Sequence, residues 1–82
     1  MNTSTSKTDR LISSYLKARN QQLGLTQADY MAALDRSQGY VSERLDCKRS
    51  WAISELDAIA PLVGLPDALA LIAAATSPLR SS

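Results

Sequence analysis

"LTQADYMAALDRSQGYVSERL", residues Leu25–Leu45, is the stretch that decides the fold of this chain. Its apolar residues recur at helical spacing in two short runs, and the turn signal DRS at 35–37 separates them. We predict one helix over 27–34 and a second that runs from its serine cap to about residue 46. The aspartate that opens DRS suits a tight connection, because aspartate tolerates turn and left-handed conformations. Thr26 is the candidate cap of the first of these helices.

Both short helices have an apolar inner side. Tyr30, Met31 and Leu34 supply it in the first helix, and Val41 with Leu45 supplies it in the second. Side chains four residues apart lie on one face of a helix, so each helix buries one side and leaves the other polar.

A longer helix precedes this pair. The sequence SKTD (6–9) matches a capping box, in which Ser6 and Asp9 each accept a hydrogen bond from the other's backbone. We predict that the helix runs to about Leu23 and ends at Gly24, which can take the left-handed conformation. The predicted inner stripe consists of Ile12, Leu16, Arg19 and Leu23.

Two more helices follow the pair. Trp51 lies in a loop, where we expect it to anchor that loop on the core. A second capping box, SELD at 54–57, predicts the start of a fourth helix, and Pro61 should loosen its last turn. Gly64 ends this helix, and Pro66 suits the first position of a fifth.

Length and composition set the class of protein. With 82 residues, 45% of them hydrophobic, the chain is expected to form one all-α domain over 7–76, between a disordered arm (1–6) and a tail (77–82). There is no histidine and one cysteine, Cys47, which excludes an internal disulfide and a Cys/His metal site. We expect no cofactor and no membrane span. The N-terminus does not resemble a secretory signal, and we expect a cytoplasmic protein. An enzyme is disfavoured, because no pair of carboxylates has motif-like spacing.

Charge is distributed unevenly although the net charge is only +1. Residues 1–50 hold eight basic and five acidic side chains, and residues 51–82 hold one basic and three acidic ones. A chain of this kind can present a basic face to a polyanion. Ordinary solvated surface charge is the alternative interpretation.

Two quoted segments together resemble the lambda-repressor-like (Cro/CI, XRE-type) DNA-binding domain. The first is LGLTQADYMAALDRSQGYVSERL (23–45), in which Gln27, Ser37 and Val41 are the sharper points of similarity. The second is WAISELDAIAPLVGLP (51–66), which is similar to the family's fourth helix and exit. The resemblance implies a compact five-helix fold with a helix-turn-helix at helices 2 and 3. It also implies a sequence-specific regulator of transcription, a repressor of phage-immunity or Cro type.

The resemblance covers about residues 8–75, with four departures. The family commonly has alanine at Met31 and glycine at Asp35, an apolar residue where Arg44 stands, and a glycine cap near Cys47.

The outward side of helix 3 carries the candidate base-reading residues Gln38, Gly39, Ser42 and Glu43. A glutamine amide can pair with adenine N6 and N7, and a carboxylate can accept from cytosine N4. Gly39 costs the helix about 1 kcal/mol relative to alanine, and its missing side chain lets the backbone approach DNA closely. Three alternatives stay open: Gln38 as solvated surface, Gly39 as a loop residue, and Glu43 as an ion-pair partner of Arg44 or Lys48.

Contacts to the DNA backbone are expected from elements that flank helix 3. Gln27 stands at the amino end of helix 2, where backbone amides can meet a phosphate, and the resemblance implies the same role. Tyr40 either packs sideways as a groove wall or reaches a phosphate with its hydroxyl. The complete set of candidates is Lys17, Arg19, Gln27, Arg36, Ser37, Tyr40, Arg44, Lys48 and Arg49.

The fifth helix is apolar on more than one side, which suggests an interface between two copies of the chain. The candidate interface residues are Leu69, Leu71, Ile72 and Leu79. Such a dimer would place two copies of helix 3 in successive major grooves of a near-palindromic operator. The alternatives are that this helix only closes the core, and that the domain is a protein-binding module such as an antitoxin or anti-repressor.

Overall fold

Five α-helices make up the fold in a computed structural model, which describes residues 6–77. They are α1 (Lys7–Leu23), α2 (Gln27–Leu34), α3 (Gln38–Leu45), α4 (Ile53–Ile59) and α5 (Ala68–Thr76). A 3₁₀ segment, Ala60–Val63, follows α4, and residues 6–77 contain no strand. The all-α prediction is confirmed. Residues 1–5 of the predicted arm and 78–82 of the predicted tail lie outside the described residues.

The ends of α1 are capped as predicted. The Ser6 hydroxyl accepts a hydrogen bond from the Asp9 amide at 3.1 Å, and the Asp9 carboxylate accepts one from the Ser6 amide at 3.0 Å. Gly24 has φ 71°, the left-handed conformation that favours glycine. Leu23 departs from the predicted inner stripe, since it is 45% exposed. The buried stripe of α1 therefore lies in its first half.

The start of α4 differs from the prediction, because the capping box at 54–57 does not form. The helix begins two residues earlier, with Ala52 in place of Ser54 as the N-cap residue, and the carboxylate of Glu55 accepts a hydrogen bond from the Ala52 amide at 2.9 Å. Asp57 is used elsewhere, since it accepts from the Ala68 amide at 2.7 Å. The first acidic residue after the loop, rather than the second, caps α4.

The segment between α4 and α5 is tightened by proline and glycine. Pro61 lies in the 3₁₀ segment, as expected of a residue that cannot continue an α-helical ladder, and Gly64 ends it with φ 80°. Pro66 does not open α5. Asp67 is the N-cap residue instead, and its carboxylate accepts from the Ala70 amide at 2.9 Å.

All five helices contribute to one core. α1 packs mainly on α5, and α3 packs on both α1 and α2, which leaves one side of α3 uncovered within residues 6–77. The Trp51 side chain is buried, so the predicted anchoring of its loop is confirmed. The largest fully buried side chains are those of Leu16, Tyr30, Val41, Leu56, Ile59 and Leu71.

Among the described residues, no single helix is both long and apolar enough to cross a membrane. The segments 53–63 and 68–76 have the length and composition only when taken together, and they are bent by 76° relative to each other.

Candidate functional site

The connection between α2 and α3 consists of three residues and turns sharply. Asp35 adopts φ 57°, as the sequence predicts for this tight turn. The Ser37 hydroxyl accepts a hydrogen bond from the Tyr40 amide at 3.3 Å and so caps α3. Because Val41 and Leu45 are buried, the opposite side of α3 faces outward.

The predicted base-reading residues lie together on this outward side. Gln38, Gly39 and Glu43 are exposed, and Ser42 is half-buried. The Ser42 hydroxyl lies 3.4 Å from a carboxylate oxygen of Asp46, which ties it to the end of the helix. The first turn of α3 therefore offers an amide side chain and a bare stretch of backbone.

No neighbour of Gly39 within the described part of the chain explains why this position lacks a side chain. A Cβ built at this position meets no heavy atom within 4 Å, and the residue does not have a positive φ. Neither crowding nor backbone conformation requires glycine here. An alanine would be more favourable for the helix, so residues 6–77 give no reason for a glycine at this position.

Glu55 of α4 holds one flank of α3. It accepts hydrogen bonds from the Tyr40 hydroxyl and, at 3.3 Å, from Arg44 Nε. The Arg44 guanidinium stacks on the Tyr40 ring at 3.5 Å from the centroid, and Arg36 lies over the same ring at 5.2 Å. The Tyr40 side chain therefore packs sideways along the flank of α3, and its hydroxyl is hydrogen-bonded to Glu55. Arg44, whose side chain is 16% exposed, offers little surface for a phosphate.

The pKa of Glu55 reflects this arrangement. Burial acts to raise it, but hydrogen bonds from Tyr40 and the Ala52 amide, with the charge and hydrogen bond of Arg44, outweigh burial. The pKa of Glu55 therefore lies below its ordinary value. Its contacts with α3 span 15 and 11 residues of sequence, and no local pattern could have identified them.

Two exposed ion pairs involve predicted DNA-contacting residues. Arg49 Nε lies 3.8 Å from Glu43, and Lys17 Nζ lies 3.3 Å from Asp46. An ion pair of Glu43 is thus present, and the partner at this distance is Arg49. Exposed pairs of this kind contribute about 0–1 kcal/mol and exchange partners easily.

Two other predicted residues carry buried polar atoms without a hydrogen-bond partner. These atoms are Arg19 Nε and Gln27 Oε1, and residues 6–77 contain no other buried unpaired side-chain nitrogen or oxygen. The terminal nitrogen Nη1 of Arg19 donates to Gln22 at 2.5 Å. Unpaired buried polar atoms are costly, so each one calls for an explanation.

The predicted interface on α5 is corrected at one position. Leu71 is fully buried within this chain, because it points into the core between α5 and the other helices, so it cannot contact a second copy. Leu69 is 77% exposed, and Ile72 is partly buried against the core. Leu79 lies outside the described residues.

Compared with protein-family models, with curated proteins and with solved structures, the chain matches none of them. Within residues 6–77 no three His, Cys, Asp or Glu side chains are grouped to hold a metal ion. The geometry of the described residues is therefore the basis for assigning a function.

Proposed function

We propose that this chain is a sequence-specific double-stranded DNA-binding regulator of transcription with a lambda-repressor-like arrangement. In this proposal α2 and α3 are the helix-turn-helix, and α3 is the recognition helix that enters the major groove. The observation that carries the proposal is the open first turn of α3, where nothing in residues 6–77 requires Gly39 to lack a side chain. A repressor needs no activity beyond occupancy of its site, and we propose that role.

Base recognition is assigned to the outward side of α3. Gln38 is the first residue of the helix and is exposed, so its amide is available for bidentate pairing with adenine. Gly39 allows the backbone to come close to the base edges or to a thymine methyl group. Glu43 accepts from cytosine N4 once it releases Arg49, which costs little for an exposed pair 3.8 Å long.

Phosphate binding is assigned to the residues on either side of α3. Arg36, Lys48 and Arg49 are exposed cations in the connections that precede and follow the helix. Gln27 begins α2, where its side-chain NH₂ group and the backbone amides of the first turn can donate to a phosphate, and Arg19 adds a guanidinium from α1. Such contacts release counterions, so the affinity must fall steeply with salt.

We also propose that two copies bind a near-palindromic operator. The exposed Leu69 supports contact through the outer side of α5, with Ile72 beside it. A symmetric dimer would separate the two recognition helices by about 34 Å, one turn of DNA. A sedimentation experiment that finds one copy both free and on the selected DNA contradicts this part.

Selection of bound duplexes from a random pool tests the proposal, followed by titrations of the selected sequence at several salt concentrations. We expect one motif and a steep linear dependence of log affinity on log salt. Gln38→Ala should lose about 1–3 kcal/mol of binding free energy and relax the sequence preference at one base pair, and the salt dependence of the affinity should stay unchanged. Lys48→Ala should weaken all sequences alike and flatten the slope by about one unit.

The two variants are controls for each other, because each should move one property and leave the other in place. Absence of any duplex binding by the wild-type protein would favour the protein-binding alternative. An unchanged motif for Gln38→Ala would show that the reading position is assigned wrongly.

A further inference from the structure

The first half of α1 buries two polar side chains against the end of α3. Asp9 is 9% exposed and Ser13 is 3% exposed, and they are the buried polar side chains among residues 6–77. A buried carboxylate is unfavourable unless it is hydrogen-bonded. The partners of Asp9 and Ser13 therefore indicate what their burial achieves.

Asp9 does more than cap its own helix. Besides Ser6, its carboxylate accepts a hydrogen bond from the Ser50 hydroxyl at 2.9 Å and one from the Trp51 amide at 3.1 Å. Those partners lie 41 and 42 residues further along the chain. Burial acts to raise the pKa of Asp9, but the hydrogen bonds from the Ser6 and Trp51 amides, with those from the Ser50 and Ser6 hydroxyls, outweigh it, and the pKa lies below its ordinary value.

Ser13, one turn after Asp9, continues the same connection. Its hydroxyl donates to the backbone carbonyl of Arg44 at 2.9 Å and accepts from the Trp51 indole N–H at 3.3 Å. The last turn of α3 and the residues that follow it are thus fixed to α1 by four hydrogen bonds from two side chains.

The segment held in this way carries two of the cations assigned to phosphate. Lys48 and Arg49 lie between the last turn of α3 and the anchored Ser50 and Trp51. Cys47, just before them, has φ 62°, an uncommon conformation that the surrounding structure has to maintain. The Lys48 amide donates to the Glu43 carbonyl at 2.7 Å, so the start of the loop is fixed on α3, and the bonds to α1 fix its other end. A loop free at that end would have to be ordered on binding, and the affinity would fall accordingly.

We infer that Asp9 and Ser13 are positioning residues of the DNA-binding surface: they preorganise loop 46–52 so that Lys48 and Arg49 meet the phosphates without prior ordering. They touch no nucleotide themselves. This inference rests on the proposed function, and it adds α1 to the elements that determine affinity.

The test is a double-mutant cycle between the anchor and the cation. Ser13→Ala removes the bonds to Arg44 and Trp51. Ser50→Ala, at an exposed position, is the milder second variant in case Ser13→Ala folds poorly. Ser6→Ala is the matched control, because it removes hydroxyl bonds to Asp9 in the α1 cap and leaves the loop bonds in place.

We expect Ser13→Ala and Ser50→Ala to weaken binding of the selected duplex about 3-fold to 10-fold, while Ser6→Ala changes it less than about 2-fold. Lys48→Ala should cost about 5-fold in the wild-type background and less than about 2-fold after the anchor is removed, which is a coupling between residues in one network. In the free protein, exchange of the Trp51 amide hydrogen should accelerate in the anchor variants and stay slow in Ser6→Ala.

The outcomes separate the two proposals. If the wild-type protein binds no duplex, the proposed function fails, and the positioning role fails with it. If the wild-type protein binds and both anchor variants match Ser6→Ala in affinity and in their coupling to Lys48, only the positioning role is overturned.

Discussion

Replacement of Gly39 by alanine should stabilise the protein and weaken its binding to DNA. A Cβ at this position meets no heavy atom of residues 6–77 within 4 Å, and Gly39 does not have a positive φ. The gain in the free energy of unfolding should therefore follow the difference in helix propensity, which is about 1 kcal/mol in a helix interior. Gly39 is the second residue of α3, so we expect about half of that, about 0.5 kcal/mol. For a domain of this size, about 0.5 kcal/mol raises Tm by about 2–4 °C.

The same methyl group should act oppositely in the complex. It projects from the outward side of α3, where the proposed contact brings the backbone to the base edges. We expect the affinity for the selected duplex to fall about 10-fold, which corresponds to about 1.4 kcal/mol. Gly39→Leu should fold and bind more weakly still.

Thermal unfolding followed by circular dichroism, with anisotropy titration of labelled duplex, measures both effects. Ala32→Gly on the exposed side of α2 is the control, because it should lose about 1 kcal/mol of stability and leave DNA affinity unchanged. Gly64→Ala should destabilise, since φ is 80° there. Destabilisation by Gly39→Ala would refute the open-space argument, and unchanged affinity of a well-folded Gly39→Ala would refute the close approach.

Three further predictions concern stability. The pKa values of Asp9 and Glu55 lie below their ordinary 3.8 and 4.5, so their contribution is complete above about pH 4.5 and is lost as the pH falls through the lowered values; acid unfolding of the Glu55→Gln variant should show a smaller dependence on pH in that range. Burial raises the pKa of Tyr30 to about 12, against the hydrogen bond to Asn20, so stability should fall from about pH 10 to 12 as the unfolded chain ionises first; Tyr30→Phe should remove this alkaline fall in a denaturant titration. Leu71→Ala should cost about 2–5 kcal/mol in urea unfolding because the side chain is fully buried, whereas Leu69→Ala should change stability by less than about 0.5 kcal/mol.

Local signals predicted the elements well where one side chain decides the backbone. The cap at Ser6, the left-handed Asp35 and the stop at Gly24 each depend on neighbours within a few residues. The error at α4 has the same origin, because two acidic residues stood within reach of the helix start. Only the packing of α5 determines that Asp57 binds Ala68 instead.

The candidate site was predictable in its outward residues and not in its supports. Val41 and Leu45 are four residues apart with polar residues between them, and this spacing determines which side of α3 faces outward. Asp9, Ser13 and Glu55 act on residues 11 to 42 positions away, and such contacts follow from tertiary packing alone. The sequence predicted Asp9 as part of a helix cap and gave no sign of its hydrogen bonds to Ser50 and Trp51.

The indole of Trp51 gives this protein a built-in optical probe. It is the single tryptophan of the chain, and it sits in the segment after α3 with its ring nitrogen bonded to Ser13. Its emission maximum should therefore shift to longer wavelength when that segment detaches, even while the helices stay intact. Comparing tryptophan emission with far-ultraviolet dichroism in one titration would reveal whether undocking of the loop precedes global melting.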